Sequence, residues 1–355
     1  MERKTEQPWL HSAMLDGVFI LSPPFIALAL VAFLPSVFQS SGEIPLIYWL
    51  VLVVFIDVAH VYSTLYRTYF RSSEFKGFLL MAVPLCCYVS GVILHSLNGM
   101  LFWRCLAYLA IFHFVRQQYG FMRLYSRHER SRPWERLTDT VAIYTATLYP
   151  LLYWHFEGGR AFSWFIEDDV LSFPALHIAA ISRVLYFAVI LVYVMKELAA
   201  IARTGRFNWP RNLLVAGTFL SWYFGIVFFN GDMAFTTLNV ISHGIPYMAL
   251  IWVMEAKKNR SEPAGKRLLL DITFRRTWGL VFFVFLLALL AYLEEGLWDG
   301  LVWKEHGSVF KSFSGLPQID DHLLLSLVVP LLALPQATHY VLDGFIWKIK
   351  KSPVQ

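Results

Sequence analysis

The sequence predicts an all-α fold, a polytopic membrane bundle of about ten transmembrane helices. Two observations about composition and one about charge predict it. Of the 355 residues, 57% are hydrophobic and only 15% are charged, which is too apolar for an ordinary soluble domain. Apolar runs of about 20 residues, the length that crosses the hydrocarbon core of a bilayer, recur along the chain. The basic residues fall in short clusters between these runs, as positively charged cytoplasmic loops do.

Ten apolar runs define the predicted spans. Their approximate bounds are 17–38, 44–66, 77–97, 99–125, 135–155, 176–202, 211–230, 232–255, 275–294 and 322–347. Pro23-Pro24 interrupts the first span, and the turn at 97–99 is tight. The stretch 295–321 interleaves Trp, Phe and Gly residues, which favours an external re-entrant or interfacial lid over a soluble domain. We therefore predict a single integral-membrane domain covering residues 1–355.

The distribution of Lys and Arg residues orients this bundle. If ten helices alternate, both termini and the loops after the even-numbered helices lie on one side of the membrane. That side holds 25 of the 30 Lys and Arg residues, and the other five are Arg104, Arg160, Arg183, Lys304 and Lys311. Because basic loops stay in the cytoplasm, both termini are predicted to be cytoplasmic. We expect an integral protein of the bacterial inner membrane.

Several function classes lack their sequence signals. The three cysteines, Cys86, Cys87 and Cys105, lie in apolar segments without the spacing of a zinc ribbon or a disulfide framework. Phosphate-loop, zincin, nucleophile-elbow and dinucleotide-binding motifs do not occur. The basic residues are not interleaved with an exposed aromatic platform, so no nucleic-acid partner is expected. The 17% aromatic content is typical of lipid-facing bulk and interfacial belts, although part of it could line a pocket for a long apolar substrate.

Four predicted spans carry a histidine with another polar residue one helical turn away. The pairs are Asp57/His60, His113/Gln117, Asn239/His243 and His339/Asp343. A spacing of three or four residues puts both members on one helix face. An ionisable group at the centre of a transmembrane helix costs roughly 2.5–3.5 kcal/mol on insertion scales, so its presence indicates function. Imidazole and carboxylate together form a transition-metal ligand set, and the pairs therefore predict a metal site.

All four pairs lie on even-numbered helices, which run in the same direction. His60 lies seven residues before Arg67, His113 ten before Arg123, and His339 nine before Lys348. At 1.5 Å per residue these depths differ by about 5 Å. His243 lies fourteen residues before Lys257, about one turn deeper. The histidines can converge in the cytoplasmic half of the membrane if the even-numbered helices are neighbours.

The predicted roles follow from the residue types. His60, His113, His243 and His339 are the principal ligands, and Asp57 and Asp343 are either ligands or carboxylates that orient a ring. Gln117 and Asn239 support the ligands, and Arg116 lies near the substrate or a carboxylate. The structural alternatives remain open: hydrogen-bonded neutral histidines, aspartates paired with interfacial bases, and an Arg116 that reaches the membrane surface.

Other polar features of the chain carry weaker predictions. His11, close to Asp16, is a reserve ligand. The sequence His243-Gly244-Ile245-Pro246 is expected to kink its helix and release backbone carbonyls beside a cavity. Ordinary polar roles are expected for His95, His128, His155, His177, His306 and His322.

At the four histidine segments the chain resembles the integral-membrane, histidine-ligated iron oxygenases. That group includes fatty-acid desaturases and hydroxylases and the bacterial retinal-forming β-carotene dioxygenases. The segment FHFVRQQYGFM around His113 is similar to the histidine-bearing helices of the carotenoid enzymes. The resemblance implies iron that is held by histidines from several helices and activates O₂ on a lipid or isoprenoid. The chain has no H-x-x-H-H or H-x-x-x-H box, which argues against a desaturase proper and leaves the number of irons open.

These patterns predict a metal-dependent membrane redox enzyme. Iron is preferred because mixed imidazole and carboxylate ligation with open positions suits O₂ chemistry, and zinc is the alternative. A membrane lipid or isoprenoid is the expected substrate, with an electron donor as a further partner. Two other functions remain open: a proton-coupled transporter that uses the pairs as a relay, and a membrane-bound acyltransferase that uses His243 with Asn239. A non-catalytic scaffold would leave the cost of the buried polar residues unexplained.

Overall fold

Most of the residues that this computed structural model describes are in helices. The described residues are 7–39, 44–71, 77–129, 131–265 and 267–346. Within them there is no strand, which confirms the predicted all-α class. Seven helices in these ranges are long and apolar enough to cross a membrane, or nine if each of two bent pairs forms one span. This indicates an integral membrane protein.

Thirteen helices of more than four residues make up the described part of the chain. In order they are α1 (Ala13–Leu21), α2 (Pro23–Phe33), α3 (Leu46–Arg71), α4 (Gly77–Leu97), α5 (Gly99–Tyr125), α6 (Pro133–Glu157), α7 (Leu176–Thr204), α8 (Trp209–Phe228), α9 (Asp232–Ser261), α10 (Leu268–Arg275), α11 (Gly279–Trp303), α12 (His322–Leu332) and α13 (Leu334–Ile346). The predicted count of ten spans stays a prediction. So does the cytoplasmic placement of the termini, because residues 1–6 and 347–355 lie outside the described residues.

Prolines bend two of the predicted spans. The first span is bent by 48° between α1 and α2, where Pro23 occupies the first position of the new helix. Proline has no N–H to continue the preceding turn, so a new helix begins there. The last span is bent by 44° between α12 and α13, and Pro330 and Pro335 flank that bend. The predicted interruption at Pro23-Pro24 is confirmed.

Side-chain caps fix where several helices begin. Asn98 Oδ1 accepts a hydrogen bond from the Leu101 N–H at 3.1 Å at the start of α5. Asp321 Oδ1 accepts one from the Leu324 N–H at 2.9 Å at the start of α12. Each cap satisfies a backbone donor that has no partner within the helix. The tight turn predicted at residues 97–99 is therefore a capped helix–helix junction.

Helix α11 is longer than predicted. It continues to Trp303, past the expected end at residue 294, and it buries Glu294 and Asp299. The Glu294 carboxylate accepts hydrogen bonds from Tyr62 and Gln336, which lie on other helices. These bonds allow a carboxylate to be buried within α11, so the helix continues past it. Of the predicted lid, 295–303 is helical and 304–321 follows the helix with one short turn at Lys311–Phe313. A lid role for this stretch stays a prediction.

Two compact units divide the chain. Unit 1 comprises Met1–Pro45 and Phe114–Ala249, and unit 2 comprises Leu46–His113 and Leu250–Gln355. Helices α5 and α9 each contribute residues to both units, because the boundaries fall inside them. A single membrane domain over residues 1–355 stays a prediction.

In unit 1, α6 packs against α7 and α8, and α8 also packs against α2. Gly217 allows α8 to approach α2 closely, since a Cβ there would lie 2.9 Å from Cγ of Pro24. Buried charges join the helices α6, α7 and α8. We call them the ion cluster, which consists of Glu129, Asp139, Lys196, Glu197 and Arg211.

In unit 2, α13 packs against α3 and α4, and α11 packs against α3 and α10. The neighbouring helix α12 approaches α4 closely, because a Cβ on Gly91 would lie 2.8 Å from Cβ of Pro330. Glu255 accepts hydrogen bonds from Arg67, at 2.6 Å, and from Arg71. The packing of α13 against α3 places these two helices, which carry two of the predicted histidines, side by side.

Candidate metal centre

Three of the predicted histidines meet in unit 2, each from a different helix. His60 lies on α3, His113 on α5 and His339 on α13, and none is more than 2% exposed. One ring nitrogen of each lies within 4.8 Å of those of the others. The Nε2 atoms of His113 and His339 are 3.0 Å apart. We call these three residues the histidine cluster.

An oxygen atom lies behind the Nδ1 atom of every ring in the histidine cluster. Thr64 Oγ1 lies 2.7 Å from Nδ1 of His339, and Asp343 Oδ2 lies 3.3 Å from Nδ1 of His113. Asp57 Oδ1 lies 3.6 Å from Nδ1 of His60. A group behind one ring nitrogen orients the imidazole and sets which nitrogen binds a metal. The Nε2 atoms are therefore the candidate ligand atoms.

The spacing of the nitrogens suits a metal ion. Two imidazole nitrogens on one ion, with bonds of about 2.0–2.1 Å, lie about 3 Å apart. The 3.0 Å between Nε2 of His113 and Nε2 of His339 fits this, and it also fits an N–H···N hydrogen bond in the metal-free protein. Imidazole must be neutral to bind a metal, and three charged rings at these distances would repel one another. The buried histidine cluster can therefore bind a metal ion.

Asp343 lies beside a histidine that is on another helix. The sequence pairs Asp343 with His339 on the face of one helix, and the structure places its carboxylate beside His113 of α5. Asp57 does lie beside its predicted partner His60, and its side chain is 33% exposed. Both aspartates contact the Nδ1 side of a ring, the position of an orienting carboxylate. Their assignment as ligands or orienters stays a prediction.

Two residues beside the histidine cluster were missed in the sequence. Thr64 lies four residues after His60, on the same face of α3, and that spacing could have revealed it. The Tyr340 ring lies 5.2 Å from the His113 ring, and its position next to His339 in sequence gave no signal.

A buried acid in unit 2 was also missed. Glu294 of α11 accepts a hydrogen bond from the Tyr62 hydroxyl at 2.5 Å and another from Gln336 Nε2 at 2.6 Å. The sequence placed Glu294 at the end of a span, where an exposed carboxylate is ordinary. Its donors come from two other helices, which the local sequence cannot show.

The remaining predicted site residues belong to unit 1. The His243 ring is buried and stacks on Phe114, with ring centroids 3.4 Å apart. Gln117 Nε2 donates to the backbone carbonyl of His243 at 3.1 Å, and Asn239 Nδ2 donates to that of Phe235 at 2.9 Å. The expected roles of His243 as a ligand and of Gln117 and Asn239 behind the ligands stay predictions.

Arg116 and His11 are exposed members of unit 1. The Arg116 guanidinium donates to the Tyr144 hydroxyl at 2.6 Å and lies over the Tyr119 ring. The backbone N–H of His11 donates to the buried carboxylate of Asp16 at 3.1 Å. Asp16 thus organises the start of the described chain, and the role of His11 as a reserve ligand stays a prediction.

The other histidines have the ordinary surroundings that were expected of them. Nδ1 of His95 lies 3.2 Å from Ser326 Oγ, and the His306 ring stacks on Trp49. Nδ1 of His155 lies 2.6 Å from the Leu151 carbonyl. The rest are exposed: His128, His177 and His322.

Comparison of the chain with protein-family models, with curated proteins and with solved structures gives no match.

Proposed function

We propose that the protein is a metal-dependent membrane oxidoreductase, an oxygenase of the bacterial inner membrane that acts on a lipid or isoprenoid. The observation that supports this most strongly is the meeting of three buried histidines from three helices. A group of polar residues inside a membrane protein is costly and is retained where it serves a function. The resemblance at the histidine segments to membrane iron oxygenases agrees with this chemistry.

The proposed ligand set is His60, His113, His243 and His339. Iron is the preferred metal and zinc the alternative, because imidazole nitrogens with nearby carboxylates bind both. Bound iron would supply the redox chemistry with O₂, and bound zinc would supply a Lewis acid. An electron donor is a proposed partner.

The residues around the histidine cluster have definite tasks in this proposal. Thr64 and Asp343 hold the rings of His339 and His113 so that both Nε2 atoms face the same point. The Asp57 carboxylate lies 3.6 Å from Nδ1 of His60, beyond hydrogen-bond distance, and would act on that ring through its charge. Burial excludes bulk water, which protects a reactive centre from side reactions. The exposed side chain of Arg116 on α5 is proposed to contact the substrate.

Metal analysis of the detergent-purified protein tests the proposal. We expect stoichiometric iron or zinc in the wild type and its loss in the double variant His113→Ala/His339→Ala, which removes the two nitrogens 3.0 Å apart. His95→Ala is the matched control, since His95 is also buried in unit 2 and bonded to Ser326. A wild type without stoichiometric metal, or unchanged metal in the double variant, would refute the proposal.

His243 is tested separately, as the member of the set that belongs to unit 1. We expect His243→Ala to retain the metal with a weaker affinity, because three imidazoles remain. An unchanged affinity would remove His243 from the ligand set and leave the histidine cluster of unit 2 as the site.

One observation favours a second candidate, the proton-coupled transporter. Glu294 is buried and hydrogen-bonded to Tyr62 and Gln336, and buried acids of this kind serve as proton relays in transporters. Proton-coupled uptake by metal-free protein in liposomes would support it. No observation favours the acyltransferase, because the Asn239 amide donates to the Phe235 carbonyl.

A further inference from the structure

One turn of α9 in unit 1 gathers buried polar atoms that have no hydrogen-bond partner among the described residues. They are Oδ1 of Asn239 and Oγ of Ser242, and Oε1 of Gln117 on α5 is a third. These side chains are only 5% or 6% exposed. Buried polar groups are nearly always paired, so each exception calls for an explanation.

The two amides are oriented by their own hydrogen bonds. A backbone carbonyl can only accept, so the bond to Phe235 O fixes the NH₂ group of Asn239. The bond to His243 O fixes the NH₂ group of Gln117 in the same way. The oxygen of each amide is therefore the unsatisfied atom, and it needs a donor. Gly225 of α8 lies against the Asn239 amide, since a Cβ there would be 3.1 Å from Nδ2.

Pro246 is expected to leave a further acceptor at the same turn. The N–H of the residue at position 246 would normally donate to the carbonyl of Ser242, four residues earlier, and proline has none. Helix α9 continues through Pro246, and the kink and the released carbonyl that the His-Gly-Ile-Pro sequence predicts stay predictions.

Aromatic rings lie one helical turn before Gln117 and Asn239 on the same helices. The Phe114 ring, one turn before Gln117, stacks on His243 and is met edge-on by Trp164 at 5.1 Å. Trp164 also meets the Phe235 ring at 5.6 Å, one turn before Asn239. A few placed polar groups beside apolar and aromatic surface are typical of a small-molecule site.

We propose that Gln117, Asn239 and Ser242 bind the hydroxyl group of a membrane-resident alcohol, with its apolar chain against the aromatic rings. A hydroxyl donates its one hydrogen to one of the two amide oxygens and accepts a hydrogen bond from the Ser242 hydroxyl. An ammonium group would place a charge among neutral oxygens, at a high desolvation cost. The inference deepens the proposed function, because it assigns a hydroxyl group to the lipid or isoprenoid substrate.

Equilibrium binding to the full-length protein in lipid nanodiscs tests the site. The probes are tritiated geranylgeraniol, a C20 isoprenoid alcohol, and its methyl ether, which keeps the oxygen and removes the donor. A site built around a hydroxyl discriminates strongly against an analogue that lacks it, and we expect at least about tenfold weaker binding of the ether. Asn239→Leu and Ser242→Ala should each reduce the ratio of the affinity for the alcohol to the affinity for the ether. Equal binding of the two probes, or no saturable binding of the alcohol, would overturn the inference.

Gln118→Met supplies the matched control. Gln118 is the next residue on α5 and is equally buried, but its Oε1 accepts from the Thr218 hydroxyl at 3.0 Å. Because this amide oxygen is already satisfied, Gln118→Met should keep the ratio between alcohol and ether. Loss of the ratio in Gln118→Met to the same extent as in Asn239→Leu would overturn the assignment.

A measurement without any ligand gives a second test. Asn239→Leu removes an unsatisfied oxygen, and the Phe235 carbonyl keeps its bond within the helix, so the thermal midpoint should stay equal or rise. Gln118→Met breaks a satisfied bond and should lower it. A fall in Asn239→Leu as large as that in Gln118→Met would show that the oxygen is paired inside the protein.

The binding assay separates this inference from the proposed function. It requires no turnover, and it can be repeated in His113→Ala/His339→Ala. Discrimination that persists in this variant supports the hydroxyl site whatever its metal content. Metal without discrimination would support the proposed function alone.

Discussion

The ion cluster of unit 1 and the histidine cluster of unit 2 are two buried polar groups that are balanced in different ways. In the ion cluster, Arg211 contacts Glu129 at 2.6 Å, Asp139 at 3.3 Å and also Glu197. Lys196 contacts Asp139 and Glu197. Every charge meets an opposite charge. In the histidine cluster, the Nε2 atoms of His113 and His339 face each other, and their oxygen neighbours lie behind the rings.

This difference distinguishes a buried polar group that stabilises the fold from one that is a candidate functional site. A buried ion pair satisfies itself, and removing one partner leaves the other uncompensated. Like groups that face each other need something between them, a proton or a metal ion. We therefore expect changes in the ion cluster to alter stability, and changes in the histidine cluster to alter metal content.

Arg211→Met should have the largest effect on folding. It removes the cation that contacts three carboxylates, and breaking a buried ion pair typically costs about 3–5 kcal/mol. Unfolding of the purified protein by heat or by a denaturing detergent measures this loss, while the metal content of the folded fraction should not change.

Arg203→Met is the control for Arg211→Met. Arg203 pairs with Glu135, but its side chain is 35% exposed, so the loss should stay within about 1 kcal/mol. Equal losses in the two variants would contradict the view that burial makes the ion cluster structural.

Asp343→Asn should weaken metal binding without unfolding the protein. The change keeps the shape and removes the negative charge beside Nδ1 of His113. Loss of such an orienting group typically lowers metal affinity by about 10–100-fold, which a competition titration with a chelator measures.

Asp57→Asn sharpens that prediction. Asp57 lies farther from its histidine, at 3.6 Å, and is partly exposed, so its effect should be smaller than that of Asp343→Asn. The reverse order would indicate that Asp57 is itself a ligand.

The smallest expected effect is a pH-dependent change in stability at Asp271 of α10. Burial would raise its pKa, but hydrogen bonds from Asn259, Gly265 and Arg275 outweigh it, so the pKa lies below the ordinary 3.8. A lowered pKa stabilises the protein at neutral pH, and that contribution is lost as the pH falls through the folded-state value. Thermal midpoints of wild type and Asp271→Asn should therefore differ slightly at pH 7 and converge below about pH 4. A difference that grows in acid would contradict this.

The fold class and the three meeting histidines were predictable because they depend on local patterns. Apolar run length gave the helices, and distance from the basic ends gave His60, His113 and His339 a common depth. These are the three that meet in unit 2. Contacts between helices were not predictable, because packing between helices determines them: Asp343 lies beside His113, which is on another helix. Glu294 was missed for the same reason, since its donors come from other helices.

The separation of His113 and His339 by 226 residues sets an order of events during biosynthesis. At a synthesis rate of about 5–20 residues per second, His113 leaves the ribosome about 10–45 s before His339. Until α13 is synthesised, the histidine cluster lacks His339. In the proposed function, the metal site would therefore be completed only after residue 339 has been synthesised.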